Sequence, residues 1–172
     1  MVNGRTLQRI PIADTLLGMA YYLFNFLPLD TAKEESAPRE QAAELMRAKM
    51  WGVGRDERHR DALTPGDLVL IYLAAPDRRF IGRAELASAV RDWTPSEAKV
   101  YPGDSRSGVL LTEVEEWDPP VPMDAVLPRI DPAGSDPVVQ ANAEAGFRTG
   151  VVRITAHEYE SVLEVSGPGQ AT

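Results

Sequence analysis

The sequence predicts one mixed α/β domain of the α+β type, a mainly antiparallel sheet with flanking helices that closes economically into a small barrel. Three observations predict it. Short apolar runs at 21–26, 68–73, 80–86, 109–117 and 150–154 read as strands, and amphipathic or capped segments at 39–50, 137–145 and 155–165 read as helices. Their order, β, α, β-hairpin, loop, β, α, β, α, does not repeat the βαβ winding of a parallel sheet. The length of 172 residues suits one sizeable core and is short for two.

Residues 1–18 show no sustained periodicity and are expected to be an N-terminal extension, with Met19 an internal alternative start. The domain proper is expected over 19–165. Tyr21-Tyr22-Leu23-Phe24-Asn25-Phe26 is short and dense in aromatic residues, as a buried strand is, and ends near Pro28. Arg39 to Met50 has good helix formers and places Ala42, Leu45, Met46 and Met50 on one face. Trp51-Gly52-Val53-Gly54 then breaks the helix.

In Thr64-Pro65-Gly66-Asp67 the proline presets φ and the glycine accepts positive φ, which makes a turn ahead of the central strand Leu68-Val69-Leu70-Ile71-Tyr72-Leu73. Ala74 to Arg79 closes a hairpin around Pro76-Asp77, and Phe80 to Leu86 returns as its partner. Trp93 to Gly108, rich in Pro, Ser, Gly and charge, reads as a loop. Val109 to Trp117 resumes as a strand bounded by Pro119-Pro120, and Met123 to Leu127 makes a short helical turn. Pro137 to Ala145 reads as a helix closed by Gly146, followed by a strand over Gly150 to Ile154. Thr155-Ala156-His157-Glu158 is a capping box that starts a last helix with Tyr159, Val162 and Leu163 on its apolar face. The remainder, 166–172, has the composition of a flexible tail.

An apolar fraction of 44% and a charged fraction of 26% are those of a folded globular chain. The absence of cysteine excludes disulfides, a thiolate nucleophile and any cysteine-based zinc or iron–sulfur site. No apolar run approaches the roughly 20 residues that span a bilayer and the first 18 residues lack a continuous apolar core of signal type, so the expected location is the cytoplasm, with no membrane partner. The net charge of −8 opposes nucleic-acid binding, but it is unevenly spread. From Arg47 to Arg83 eight basic residues outnumber five acidic ones, a local charge of +3 that leaves −11 on the remainder. Such asymmetry lets one face dock a polyanion while the others repel it.

Catalytic signatures are missing. There is no G-x-S-x-G elbow, no Walker loop and no G-x-G-x-x-G, and the two histidines lie far apart. Trp51-Gly52-Val53-Gly54-Arg55 follows a helix rather than a strand, the wrong context for a phosphate loop. Glu34-Glu35 and Glu115-Glu116 have no histidine beside them to make a metal site or an acid/base pair. No metal, cofactor or catalytic residue is therefore expected.

Read in order, Tyr21-Tyr22-Leu23-Phe24, Met50-Trp51-Gly52-Val53, Leu63-Thr64-Pro65-Gly66-Asp67-Leu68-Val69-Leu70-Ile71-Tyr72, Phe80-Ile81-Gly82-Arg83-Ala84 and Gly146-Phe147-Arg148-Thr149-Gly150-Val151-Val152-Arg153-Ile154-Thr155-Ala156-His157-Glu158-Tyr159 resemble the successive core segments of EVE domains. These belong to the PUA-like superfamily with YTH and ASCH domains. The resemblance spans roughly residues 19–165 and departs where Gly54 to Arg60 replaces a segment that usually carries asparagines. It also places Thr149 where a serine is usual.

The resemblance implies a PUA-like pseudobarrel that reads a modified base, 5-methylcytosine or another modified cytosine in DNA foremost, by flipping it into an aromatic pocket. Stacking of roughly 1–3 kcal/mol per ring offsets a base-extrusion cost of a few kcal/mol. The pocket candidates are Trp51, Tyr22, Phe24, Asn25, Tyr72, Phe147 and Thr149; the phosphate candidates are Arg55, Arg58, Arg79 and Arg148. Trp51 also suits a role packing the helix end into the core, and strand alternation requires some of Tyr22, Phe24 and Tyr72 to be core. Two other readings stand beside it: an accessory module of a nuclease or defence partner, and an RNA- or nucleotide-processing enzyme. The polymer could be DNA or RNA, and the domain could act as a monomer or a dimer.

Overall fold

The computed structural model describes residues 19–26, 37–74, 77–103, 105–134 and 150–166. Strand β1 (Tyr21–Phe26) is followed by helix α1 (Ala37–Ala48), β2 (Met50–Gly52), a 3-10 turn (Arg60–Ala62), β3 (Leu68–Leu73) and β4 (Arg79–Leu86). Then come β5 (Arg91–Asp92), helix α2 (Pro95–Val100), β6 (Ser107–Pro122), helix α3 (Met123–Ile130), β7 (Val151–Ile154) and helix α4 (Ala156–Ser166). The strands form one curled sheet in the order β2-β6-β4-β3-β1-β7, with β5 paired to β6. Only β1 and β3 run parallel, so the expected mixed, mainly antiparallel half-barrel with flanking helices is what forms.

The apolar residues of β1 and β3 are near-continuous because both faces of the sheet are covered. Alternation sends Tyr22, Phe24, Val69, Ile71 and Leu73 into one core, against Ala42, Leu45 and Met46 of α1. Leu23, Leu70 and Tyr72 face the other way, into a second core closed by Met123 and Val126 of α3 and Tyr159 and Val162 of α4. On that side Tyr72 lies 4.8 Å from Phe80 and Tyr21 lies 5.1 Å from Tyr159.

The β3 entry turn is tied down by a buried carboxylate. Gly66 takes φ +95°, and Asp67, fully buried, accepts from the Ala20 amide at 2.9 Å and from the Thr64 amide at 3.0 Å. The Thr64 hydroxyl adds a third donor at 3.3 Å. One side chain therefore closes the turn and clamps the start of β1 against β3. The capping box of α4 forms as the sequence predicts, Glu158 N donating to Thr155 Oγ1 at 3.0 Å and Thr155 N to Glu158 Oε1 at 2.8 Å.

Four expectations change. Helix α1 stops at Ala48, not Met50: Lys49 takes φ +59°, its amide donating to the Met46 carbonyl at 3.0 Å, and Met50-Trp51-Gly52 becomes a strand opposite Leu110-Val109-Gly108. Pairing satisfies the backbone of these residues while Met50 and Trp51 still reach buried positions. The loop expected over 93–108 contains α2, because Thr94-Pro95-Ser96-Glu97 is itself a capping box with proline at the first helical position. Strand β6 passes the two prolines that were expected to bound it, since its pairing with β4 jumps from Gly82 opposite Glu116 to Phe80 opposite Val121. The prolines occupy that irregularity, where no ladder donor is needed. Helix α3 runs on to Ile130, three residues beyond the expected turn. The helix expected at 137–145 lies outside the described residues. Among the described residues, no helix is long and apolar enough to cross a membrane.

Asp67→Ala removes a charged acceptor, strands the buried Ala20 amide and frees the part-buried Thr64 amide. It is expected to lower the unfolding free energy by about 2–4 kcal/mol in urea titration, with loss under about 0.5 kcal/mol contradicting the clamp.

Candidate nucleic-acid interface

The last residues of β1, the outer face of α1, the β2 strand and the segment after α2 enclose an open cavity of about 680 Å³. Asn25 and Phe26 come from β1, and Trp51, Gly52 and Gly54 from β2 and the residues after it. Tyr101, Pro102, Gly103 and Ser105 come from the segment after α2. From α1 come Gln41, Glu44 and Leu45, a spacing of three and four residues that puts them on one helix face. The volume is within the range of small-molecule pockets, and the combination of apolar walls with a few polar groups is theirs too.

Trp51 serves two environments. Its ring stacks on Phe24 (centroids 5.8 Å apart, planes at 27°), meets Phe26 edge-on at 6.2 Å, and at the same time lines the cavity. Its anchoring in the core gives the cavity a rigid wall.

The facing wall is built by α2. Tyr101 packs on Trp93 at 5.0 Å, and the Trp93 indole donates to the Ser105 carbonyl at 3.0 Å. Arg91 grips Glu97 through two hydrogen bonds of 2.6 and 2.7 Å. That pairing, with the Thr94 amide as a further donor, holds the Glu97 carboxyl down to about 2. Gly52 is required where the walls meet, because a Cβ there would collide with the Tyr101 hydroxyl and come within 2.6 Å of Ser105 Cβ.

Of the residues singled out from the sequence, Trp51 and Asn25 reach this cavity. Asn25 is buried, and its backbone N–H donates to the Gly150 carbonyl at 2.8 Å. Phe24 lies behind Trp51 in the core. Tyr22 is a core residue beside His59 (6.0 Å) and under the Arg153 guanidinium (5.5 Å), and burial pushes its phenol pKa up. Tyr72 sits in the second core, on the other face of the sheet. Phe147, Arg148 and Thr149 lie outside the described residues; just beyond them the Val151 amide donates to Glu57 Oε2 at 3.1 Å.

Among the phosphate candidates, Arg55 is exposed and follows the cavity residue Gly54 in sequence, and Arg58 is exposed nearby in sequence. Arg79 lines a separate polar groove of about 500 Å³ with Arg39, Arg47, Asp77, Glu116 and Asp118. Arg60 is occupied, donating to the Val53 carbonyl at 2.9 Å. Arg106 follows the cavity residue Ser105 in sequence and is exposed; like Arg55 and Arg58 it makes no ion pair among the described residues. Sequence reasoning missed Gln41, Glu44, Tyr101 and Ser105. The capping box at Thr94 was the available signal for Tyr101, since it places that residue at a helix end followed by Pro102-Gly103. Among the described residues no cluster of three or more His, Asp or Glu suits a metal ion.

The curled, mainly antiparallel sheet with its flanking helices has the PUA-like pseudobarrel fold that the sequence resemblance implies. No family model matches the chain, and no curated protein matches it in sequence. Solved structures do match it. The human THYN1 protein in complex with 5-methylcytosine-containing DNA superposes with a TM-score of 0.56 at 15% identity, over 84% of this chain and 96% of that one. The YTH domain of the Zygosaccharomyces rouxii MRB1 protein, in complex with N6-methyladenosine RNA, gives 0.52 at 16% identity, over 85% and 83%. The Agrobacterium tumefaciens protein Atu2648 gives 0.54 at 20% identity, over 86% and 93%. At these identities the likeness is one of fold.

The depressed Glu97 carboxyl sets a pH dependence. Stabilisation by the Arg91–Glu97 pair is complete above the ordinary carboxylate range and is lost as pH falls through it towards 2. The thermal stability advantage of the wild type over Glu97→Gln is expected at about pH 6 and should close between about pH 4.5 and 2. An advantage that stays constant over that window would show that the pair does not hold α2.

Proposed function

We propose that this domain reads a modified base in nucleic acid, 5-methylcytosine in DNA foremost, by accepting the flipped base between Trp51 and Tyr101. The observation that carries the reading is the cavity itself: an aromatic wall backed by the core, a second ring in its lining, and polar groups contributed by α1. Its occurrence in a fold shared with proteins solved on 5-methylcytosine DNA and on N6-methyladenosine RNA supports a base as the occupant.

Stacking on two rings supplies roughly 1–3 kcal/mol per contact and offsets a flipping cost of a few kcal/mol. The methyl group adds about 0.8 kcal/mol if it is buried against an apolar wall. Modification is therefore read as a modest increment on a binding step that the rings and the backbone contacts make possible. Arg55 and Arg106 are exposed and adjoin the cavity residues Gly54 and Ser105 in sequence, which makes them the candidate phosphate contacts. The excess of acidic residues elsewhere holds a duplex to this face. No step of this reading needs a bond to form or break, so the domain acts by binding.

A titration of matched duplexes with and without 5-methylcytosine, alongside N6-methyladenine and RNA counterparts, at low and moderate salt tests it. Tight, salt-dependent binding with preference for one modified polymer is expected. Tyr101→Ala should weaken that binding by about 5- to 150-fold with the fold intact by circular dichroism. Arg55→Ala and Arg106→Ala should each reduce the salt slope by about one while leaving the preference for modification unchanged. Uniform absence of binding at low salt overturns the reading and favours a module that works through a protein partner.

A further inference from the structure

We infer that Glu44 is the specificity residue of the cavity, accepting the exocyclic amine of the entering base and so selecting cytosine over thymine, with Gln41 beside it reading the neighbouring ring position. The inference rests on the base-reading function proposed above and names the chemistry of the base.

Gln41 and Glu44 stand one turn apart on the face of α1 that lines the cavity. Both are exposed, and neither side chain forms a hydrogen bond or ion pair among the described residues. Elsewhere on the same helix Arg47 is bonded to Glu116 through two contacts of 3.1 Å, and Arg39 lies 3.8 Å from Asp118. Those two arginines are engaged away from the cavity, whereas Gln41 and Glu44 line the cavity with their polar groups open to a ligand.

The two groups differ in what they accept. A carboxylate offers acceptors only, whereas a carboxamide offers donor and acceptor and turns to suit its partner. The cytosine N4 amine is a donor; thymine carries the O4 acceptor at the same position. Glu44 is thus matched to cytosine and opposed to thymine, lone pair facing lone pair, while Gln41 accommodates the ring nitrogen of either base. A negative charge at this place also disfavours entry of a phosphate, which keeps the backbone on the rim beside Arg55 and Arg106.

5-Methylcytosine and thymine carry the same methyl group, so the pair isolates the amine. The experiment measures binding to two duplexes that differ only in having 5-methylcytosine or thymine opposite an abasic site, which removes the unequal cost of breaking a base pair. Wild type is expected to prefer 5-methylcytosine by roughly tenfold, the size of one good base-edge contact. In Glu44→Gln the preference should fall to within about twofold, because the amide can donate to O4. Glu40→Gln, an equal charge change on the same helix at the separate groove, should keep the wild-type ratio. Binding with a ratio that Glu44→Gln leaves unchanged, or that Glu40→Gln changes as much, overturns this inference and leaves the base-reading function standing. Failure of the wild type to bind either duplex overturns both.

Discussion

The structure depends on the placing of β1 between β3 and β7. It is parallel to one neighbour and antiparallel to the other, with Tyr21 opposite Leu68 on one side and Ile154 on the other. A parallel neighbour cannot be reached by a tight turn, so the chain between them must cross over, and α1, β2 and the 3-10 turn lie on that crossover. Asp67 fixes the register at its starting end by holding the amides of Ala20 and Thr64 together. From that fixed point alternation decides the rest: Phe24 backs Trp51, Leu23 enters the second core, and Asn25 and Phe26 arrive at the cavity.

The cavity inherits its rigidity unequally. Trp51 is held by two aromatic contacts from β1 and by the pairing of β2 with β6. Opposite it, Tyr101 is supported by Trp93, by the bond of that indole to Ser105 and by the Arg91–Glu97 pair, all between residues close in sequence. The first wall is a product of the global fold and the second of a local one. Several arginines of the basic stretch are already engaged: Arg47 and Arg83 pair with Glu116 and Glu115, and Arg60 bonds to backbone, whereas Arg55, Arg58 and Arg106 are exposed and make no ion pair among the described residues.

Much of the fold was legible because its strands carry strong local signals. The β3–β4 hairpin, the Gly66 turn and the Thr155 capping box are each decided by a few adjacent residues. The site was legible only in part. Trp51 stands out by residue type and by the glycines beside it, but whether Tyr72 or Phe24 faces a cavity depends on what covers each side of the sheet, which no strand encodes by itself. Gln41 and Glu44 read as ordinary solvent-facing helix residues, since nothing in α1 says that a loop some sixty residues later, 101–105, will stand opposite them. Tyr101 was hidden by composition: Pro, Ser and Gly suggested a loop, although the Thr94 and Glu97 spacing already specified a helix. Met50 went to a strand with Trp51 rather than to α1 because its partner in β6 offered backbone bonds that a helix end lacks.

The local bracing of the segment from Arg91 to Ser107, through the Thr94 capping box, the Arg91–Glu97 pair and the Trp93–Tyr101 contact, gives the domain a jaw whose exposed positions can be rewritten. Tyr101 and Ser107 tie it to the first core and to Val53, so substitutions at Pro102, Gly103 and Ser105 are those that change one side of the cleft with least effect on the cores. The opposite side, built into the sheet through Trp51, tolerates little. A lineage of such domains can diversify its ligands by rewriting one short excursion of the chain while inheriting the scaffold unchanged.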